Sequence, residues 1–173
     1  MKTKTKLTPI FKNTENDSHV TKEGKTIWAS RSVCVCIKLD LSINDIPMTL
    51  ITKRGKAVSN EGKWCLPCGY IDKDETIIEG AIRELYEETG ILVNESQLER
   101  YEIMDNPLND SLQNITFHYR CKLTDNPFQL LDEVNAFIKD GYTNEESTLA
   151  CLVTASTYMD YDYAFGHEQR VSV

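Results

Sequence analysis

Three glutamates, Glu84, Glu87 and Glu88, stand at positions i, i+3 and i+4 just ahead of Gly90. On a helix that spacing puts all three carboxylates on one face, close to the C-terminal end that a glycine marks. Like charges so spaced repel by a few tenths of a kcal/mol, and acids near the negative end of the helix dipole lose roughly 0.3–1 kcal/mol each. An arrangement that disfavours itself in this way calls for a positive partner. A hard divalent cation is the simplest one, because Mg²⁺ takes carboxylate oxygens and completes its octahedron with waters or substrate phosphates. Arg83 is the other candidate. It lies four residues before Glu87, and an exposed pair at that spacing, worth under about 0.5 kcal/mol, relieves one carboxylate rather than three. A solvated acidic face is the competing explanation for the three acids taken alone.

The surrounding residues describe the element that must carry them. Ile78, Ala81, Ile82 and Leu85 recur at helical spacing and predict a buried stripe. Asp74 is placed to cap the helix and Glu75 to lie in its first turn, where acids are favoured. Gly69 ends the preceding loop, and Gly90 supplies the left-handed turn that stops the helix.

From Gly69 to Ile91 the chain resembles the Nudix box: Gly69, Glu75, Arg83, Glu84, Leu85, Glu87, Glu88, Gly90 and Ile91 fill its fixed positions without exception. The flanks Trp64-Cys65-Leu66-Pro67 and Tyr163-Ala164-Phe165-Gly166-His167-Glu168 extend the likeness over about residues 27–170. Cys68 departs from the glycine more usual in that loop, which bears on local backbone shape rather than on the acids. The resemblance implies an α/β protein, a Nudix-type α/β/α sandwich around a mixed β-sheet. It implies that Glu84, Glu87 and Glu88, with Gly69, hold Mg²⁺ or Mn²⁺, and that Arg83 and Glu75 form an internal ion pair that keeps the platform in shape.

The reaction so implied is hydrolysis of the pyrophosphate bond in a nucleoside diphosphate linked to another group. Such chemistry needs positioning and charge neutralisation more than covalent catalysis, and one carboxylate must take a proton from the attacking water. Glu84 or Glu87 on the helix, or Glu145 or Glu146 on a later loop, are the candidates. Pro107 follows Ile91 at a distance common in Nudix ADP-ribose pyrophosphatases, which makes ADP-ribose or a nucleotide sugar the expected substrate; a plain turn proline, which needs no substrate, is the more ordinary explanation of that residue. Tyr101 and Phe117 are candidates for stacking a base, against an ordinary core role. Arg54, within Lys53-Arg54-Gly55-Lys56, is a candidate phosphate contact, against a solvated hairpin turn. A Nudix enzyme acting on nucleoside triphosphates or dinucleoside polyphosphates is one alternative. A non-catalytic nucleotide-sensing regulator is another, but such regulators carry a DNA-binding domain after the Nudix domain, and none is expected before Val173.

At 173 residues the chain is long enough for one domain that buries about 70% of its unfolded surface. A polar, Lys-rich arm is expected over residues 1–26, with one edge strand, and a single Nudix domain over 27–173. No apolar run approaches the roughly 18 residues of a membrane span, and Met1 to Asp17 has no stretch of signal-peptide type, so a cytoplasmic protein without membrane contact is expected. A net charge of −8 argues against duplex nucleic acid and leaves a small nucleotide as partner. The family's habit of dimerising leaves a homodimer open.

Six cysteines are expected to be reduced packing residues. Cys34 and Cys36 alternate on one strand face, and Cys65 and Cys68 form a C-x-x-C, but four thiols bind zinc only if the fold brings them together. No histidine belongs to a hydrolase triad, and His118 is expected to face water or a neighbouring carbonyl. Strands are predicted near 27–39, 48–53, 66–70, 101–105, 114–123 and 150–155, and two further helices near 127–140 and 161–170.

Overall fold

The computed structural model describes residues 16–108, 112–143 and 145–172. They fall into two units that divide between Arg31 and Ser32. The first contains an antiparallel hairpin of β1 (Asp17–Val20) and β2 (Thr26–Ala29), with Ser18 opposite Trp28 and His19 opposite Ile27. The single strand expected over residues 27–39 is therefore two. Ser30-Arg31-Ser32 lacks the β-branched and apolar residues that resume at Val33, where β3 (Val33–Ile43) begins.

The second unit is built on a seven-stranded sheet. Besides β3 it contains β4 (Ile46–Arg54), β5 (Trp64–Cys65), β6 (Cys68–Tyr70), β7 (Leu98–Met104), β8 (Ile115–Lys122) and β9 (Ser147–Val153). The order is β5-β4-β3-β8-β7, with β6 also on β3 and β9 also on β4. The β3–β8 pair is parallel and the rest are antiparallel, so the sheet is mixed as expected.

Alternation along β3 sorts the two faces. Val35, Ile37 and Leu39 enter one core with Leu50, Tyr119 and Cys121. Over them lie α1 (Ile77–Thr89), through Ala81 and Leu85, and α2 (Pro127–Lys139), through Leu130, Val134 and Ile138. On the other face Cys36, Ile51, Leu66 and Val153 pack on Val171 of α3 (Glu168–Val171) and on Trp64, Tyr158, Tyr161 and Tyr163. The helix expected over 161–170 contracts to α3. Tyr163 is held extended beside Trp64, Ala164 donates its N–H to the Trp64 carbonyl at 2.8 Å, and Phe165 and Gly166 both take left-handed φ angles, so no helix can start earlier.

The α1 cap also differs from expectation. Thr76, not Asp74, is the N-cap: its hydroxyl accepts the Glu79 N–H while the Glu79 carboxylate accepts the Thr76 N–H at 2.7 Å. A Thr-x-x-Glu box satisfies two end donors at once, which a lone Asp74 cannot. On α2, Asn135 takes the N–H of Ala150 at 2.8 Å and donates to its carbonyl at 3.2 Å, tying β9 to the helix layer. No helix among the described residues is long and apolar enough to cross a membrane.

Candidate functional site

Arg83 organises the acids around it. Its guanidinium donates to Glu75 from Nη2 at 2.6 Å and Nε at 3.0 Å, and from Nη1 to Glu84 at 2.8 Å and Glu87 at 3.0 Å. Nη2 also reaches the Tyr70 carbonyl at 2.9 Å. The expectation that Arg83 relieves a single carboxylate is thus corrected: five donors in a planar fork let one side chain serve three acids and a strand end. The Arg83–Glu75 pair forms, and it holds the Glu75 carboxyl below its usual range.

Glu88 stands outside that network. It is 5% exposed, and its Oε2 accepts the Thr52 hydroxyl at 3.3 Å. Burial pushes its carboxyl well up, with the neighbouring Cys65 and Glu84 adding to the shift. Glu84 is pushed up by burial too, against the opposing pull of Arg83. A Cβ at Gly69 would overlap the Glu84 carboxylate where it stands, so a side chain there would push that acid out of its place. Gly90 takes φ 73° and donates to the Tyr86 carbonyl at 2.7 Å, ending α1 as expected.

These oxygen donors line one cavity of about 650 Å³. Carboxylates and a backbone carbonyl suit a hard cation such as Mg²⁺ or Mn²⁺, and burial leaves both buried acids shifted up even with Arg83 beside Glu84 and Arg54 near Glu88, so a further positive charge would favour their ionised forms. The residues therefore fit a divalent metal. Among the described residues no three His, Cys, Asp or Glu side chains converge on one point, because Arg83 draws Glu84 and Glu87 to itself.

The structure separates the loop candidates. Glu146 lines the cavity and lies close enough to raise the Glu84 carboxyl, whereas Glu145 is exposed, takes φ 64° and does not line it. Gly55 sets this up. Its N–H donates to the Glu146 carbonyl at 2.7 Å, and a Cβ there would overlap the Glu145 carbonyl. Arg54 lines the cavity as well, 4.8 Å over the Phe165 ring and bonded through Nε to the Ser59 carbonyl at 2.6 Å. Pro107 is exposed and does not line the cavity. Tyr101 lines a separate small groove with Lys38 and Arg120.

Strand register supplies residues that the sequence reading passed over. Cys68, Cys36, His118 and Glu102 are successive partners across β6, β3, β8 and β7, and Tyr70, Cys34, Thr116 and Met104 form the adjoining row. Seven of these eight line the cavity, all but Glu102. His118 is 1% exposed, and neither ring nitrogen has a hydrogen-bond partner, so the expectation of a water-facing or carbonyl-bonded histidine is corrected. The reason is its strand, which lies between β3 and β7 rather than at an edge.

His167, also 5% exposed, accepts the Leu66 N–H at Nδ1 over 3.1 Å, while Nε2 lies 3.9 Å from the Cys36 Sγ. A neutral ring accepting at Nδ1 carries its proton on Nε2, so the nitrogen that faces Cys36 is a donor and not a metal lone pair. Among the described residues no disulfide joins any of the cysteines. Protein purified without added zinc is accordingly expected to contain well below one zinc per chain by elemental analysis. A stoichiometric value that disappears in Cys36→Ser, together with stability, would reverse this reading.

The NUDIX domain model matches residues 39–146. An RNA pyrophosphohydrolase of Bartonella henselae is 39% identical over 69 residues, 40% of this chain and 30% of that protein. Phosphatase NudJ of Escherichia coli is 44% identical over 36 residues, 21% of this chain and 24% of that one. The match thus spans about a third or less of these relatives. Among solved structures, the NUDIX domain of Shewanella oneidensis NrtR complexed with ADP ribose aligns with a TM-score of 0.63 at 18% identity, over 82% of this chain and 84% of that domain. The family model, the acid-bearing helix and the mixed sheet agree: this chain belongs to the NUDIX family.

Proposed function

We propose that the chain is a metal-dependent pyrophosphohydrolase that cleaves a small nucleoside diphosphate derivative, with ADP-ribose or a nucleotide sugar as the first candidate. The observation that carries this is a single cavity in which Glu84, Glu87 and Glu88 from α1 meet Glu146 from the loop before β9, with Arg54 beside them. Mg²⁺ or Mn²⁺ bound by Glu84, Glu87, Glu88 and the Gly69 carbonyl would neutralise pyrophosphate oxygens and acidify a bound water. Arg83 holds the carboxylates in place until they are needed. Arg54 offers a cation to a phosphate oxygen. Glu146 accepts the proton of the attacking water, because it arrives on an element independent of the acid helix. The substrate class is supported by the ADP-ribose complex of the NrtR domain; Pro107, which lies outside the cavity, adds nothing to it. Net charge −8 favours such a small anion, carried with its metal, over duplex nucleic acid.

Product analysis over ADP-ribose, nucleotide sugars, NADH, nucleoside triphosphates and dinucleoside polyphosphates tests the reading. Cleavage of the first two to a nucleoside monophosphate and a sugar phosphate is the expected result. Rapid attack on triphosphates or dinucleoside polyphosphates alone would remove the substrate class and leave the reaction type. Within the site, Glu146→Gln is expected to lower kcat by about a hundredfold, the usual contribution of a general base, while Glu145→Gln leaves it unchanged. The reverse order would hand the proton to Glu145.

A further inference from the structure

The cavity has two chemically different halves. One is the acid platform of α1. The other is the floor laid by β3, β8 and β7, where His118 sits beside Arg170 and Met104. His118 is the anomaly: a polar side chain 1% exposed, bordering a cavity of about 650 Å³, with both ring nitrogens unbonded. A buried polar atom without a partner is unfavourable, and such atoms are rare unless something outside the free chain completes them.

We infer that His118 reads the nucleoside end of the substrate, a base edge or a ribose hydroxyl, rather than a phosphate. This rests on the pyrophosphohydrolase reading above. A neutral imidazole offers one N–H and one lone pair, which match a group that both accepts and donates. A phosphate only accepts and is served by guanidinium forks. The surroundings keep the ring neutral: burial, then the nearby Arg170, hold His118 down at about 4, and Glu102 only partly opposes them. Three arginines, Arg54, Arg83 and Arg170, already line the cavity and suit anionic groups, so a second kind of recognition is what the imidazole adds.

The wall beside the ring is built to yield. Arg170 donates through Nε to Glu102 at 3.0 Å, a strong charged bond, but through Nη2 only to the thioether of Met104 at 2.8 Å. Sulfur is a weak acceptor, so this end of the guanidinium is the one a ligand can most easily draw away. The Glu102 bond keeps the guanidinium at the rim as it does so.

Three proteins decide the matter: the unsubstituted chain, His118→Leu and His118→Gln. In metal-free protein, AMP affinity by calorimetry should fall roughly three- to tenfold in His118→Leu, the loss of one neutral hydrogen bond, and recover in part in His118→Gln. With substrate and Mg²⁺, KM should rise more than kcat falls. Inorganic pyrophosphate with Mg²⁺ should bind the Leu variant as tightly as the unsubstituted chain. The apo Leu variant should melt at the same temperature or higher, since it removes two unsatisfied atoms. Ribose 5-phosphate separates the two forms of the inference: an equal loss for it places the bond on ribose, and no loss places it on the base. If hydrolysis stands but AMP affinity and KM are unchanged in His118→Leu, or if pyrophosphate affinity falls instead, the inference is wrong. If the unsubstituted chain neither binds AMP nor cleaves any nucleotide, the pyrophosphohydrolase reading itself fails and takes this one with it.

Discussion

Glu87→Gln is expected to lower kcat by roughly three orders of magnitude and to move the melting temperature of the metal-free protein by no more than about 4 °C. The first half follows from charge. Metal and pyrophosphate bound as proposed would need several kcal/mol of electrostatic help at this platform, and an amide in place of a carboxylate withdraws it at one of the three carboxylate anchoring points. The second half follows from exposure. The Glu87 side chain is 51% exposed and its partner Arg83 remains bonded to Glu75 and Glu84, so the lost pair is worth about 1 kcal/mol at most. Sequence spacing alone suggests that removing Glu87 relieves repulsion and stabilises the chain; Arg83 has already relieved it. Steady-state kinetics across a Mg²⁺ titration, with a thermal melt in chelator, measure both halves. Retained turnover with an ordinary Mg²⁺ dependence would sink the metal assignment, and an unfolded variant would make Glu87 a structural residue.

The platform was legible because its signals are local. Helix period, a stop glycine and the nine box positions lie within one short stretch, and Gly69, Arg83, Glu84, Glu87 and Glu88 come together through one helix and the loop before it. The second half of the cavity was not legible, for a topological reason. His118 enters through a parallel β3–β8 pairing between segments some eighty residues apart, and nothing in Ile115-Thr116-Phe117-His118-Tyr119 says which alternate face meets a cavity. Gly55 was hidden likewise. Within Lys53–Lys56 it reads as a turn glycine, and only the approach of the Glu145 carbonyl shows why a side chain is forbidden there. The C-terminal segment misled in the other direction. Its pattern permits a helix, but pairing of Tyr163 beside Trp64 wins, because burying three tyrosines and a tryptophan on the sheet outweighs a few helical turns.

The stability gap between His118→Leu and the unsubstituted metal-free protein is expected to widen by about 2 kcal/mol between pH 7 and pH 5, in favour of the Leu variant. Burial, with Arg170 adding to it, lowers the folded-state pKa of His118 to about 4, against about 6.5 for a free imidazole. Between those values the unfolded chain holds a proton that the folded chain does not. Stability therefore rises with pH across that window and is lost as pH falls through it, by about 1.4 kcal/mol per unit well below 6.5. His167, lowered to about 3 by burial and then by His118, Arg170 and Arg54, acts in the same direction. Glu84 and Glu88 act in the opposite one, since carboxyls pushed up by burial gain protons on folding as pH drops. The two carboxyl contributions belong to both proteins and cancel in the difference, as does that of His167 to the extent that His118 does not perturb it. Denaturant titrations at pH 7, 6 and 5 give the gap directly. Parallel stability curves would mean that His118 titrates like an exposed histidine, which its burial forbids; a widening gap would show that the folded chain keeps an unprotonated imidazole on its cavity floor, at a measurable cost to its own stability below pH 6.5.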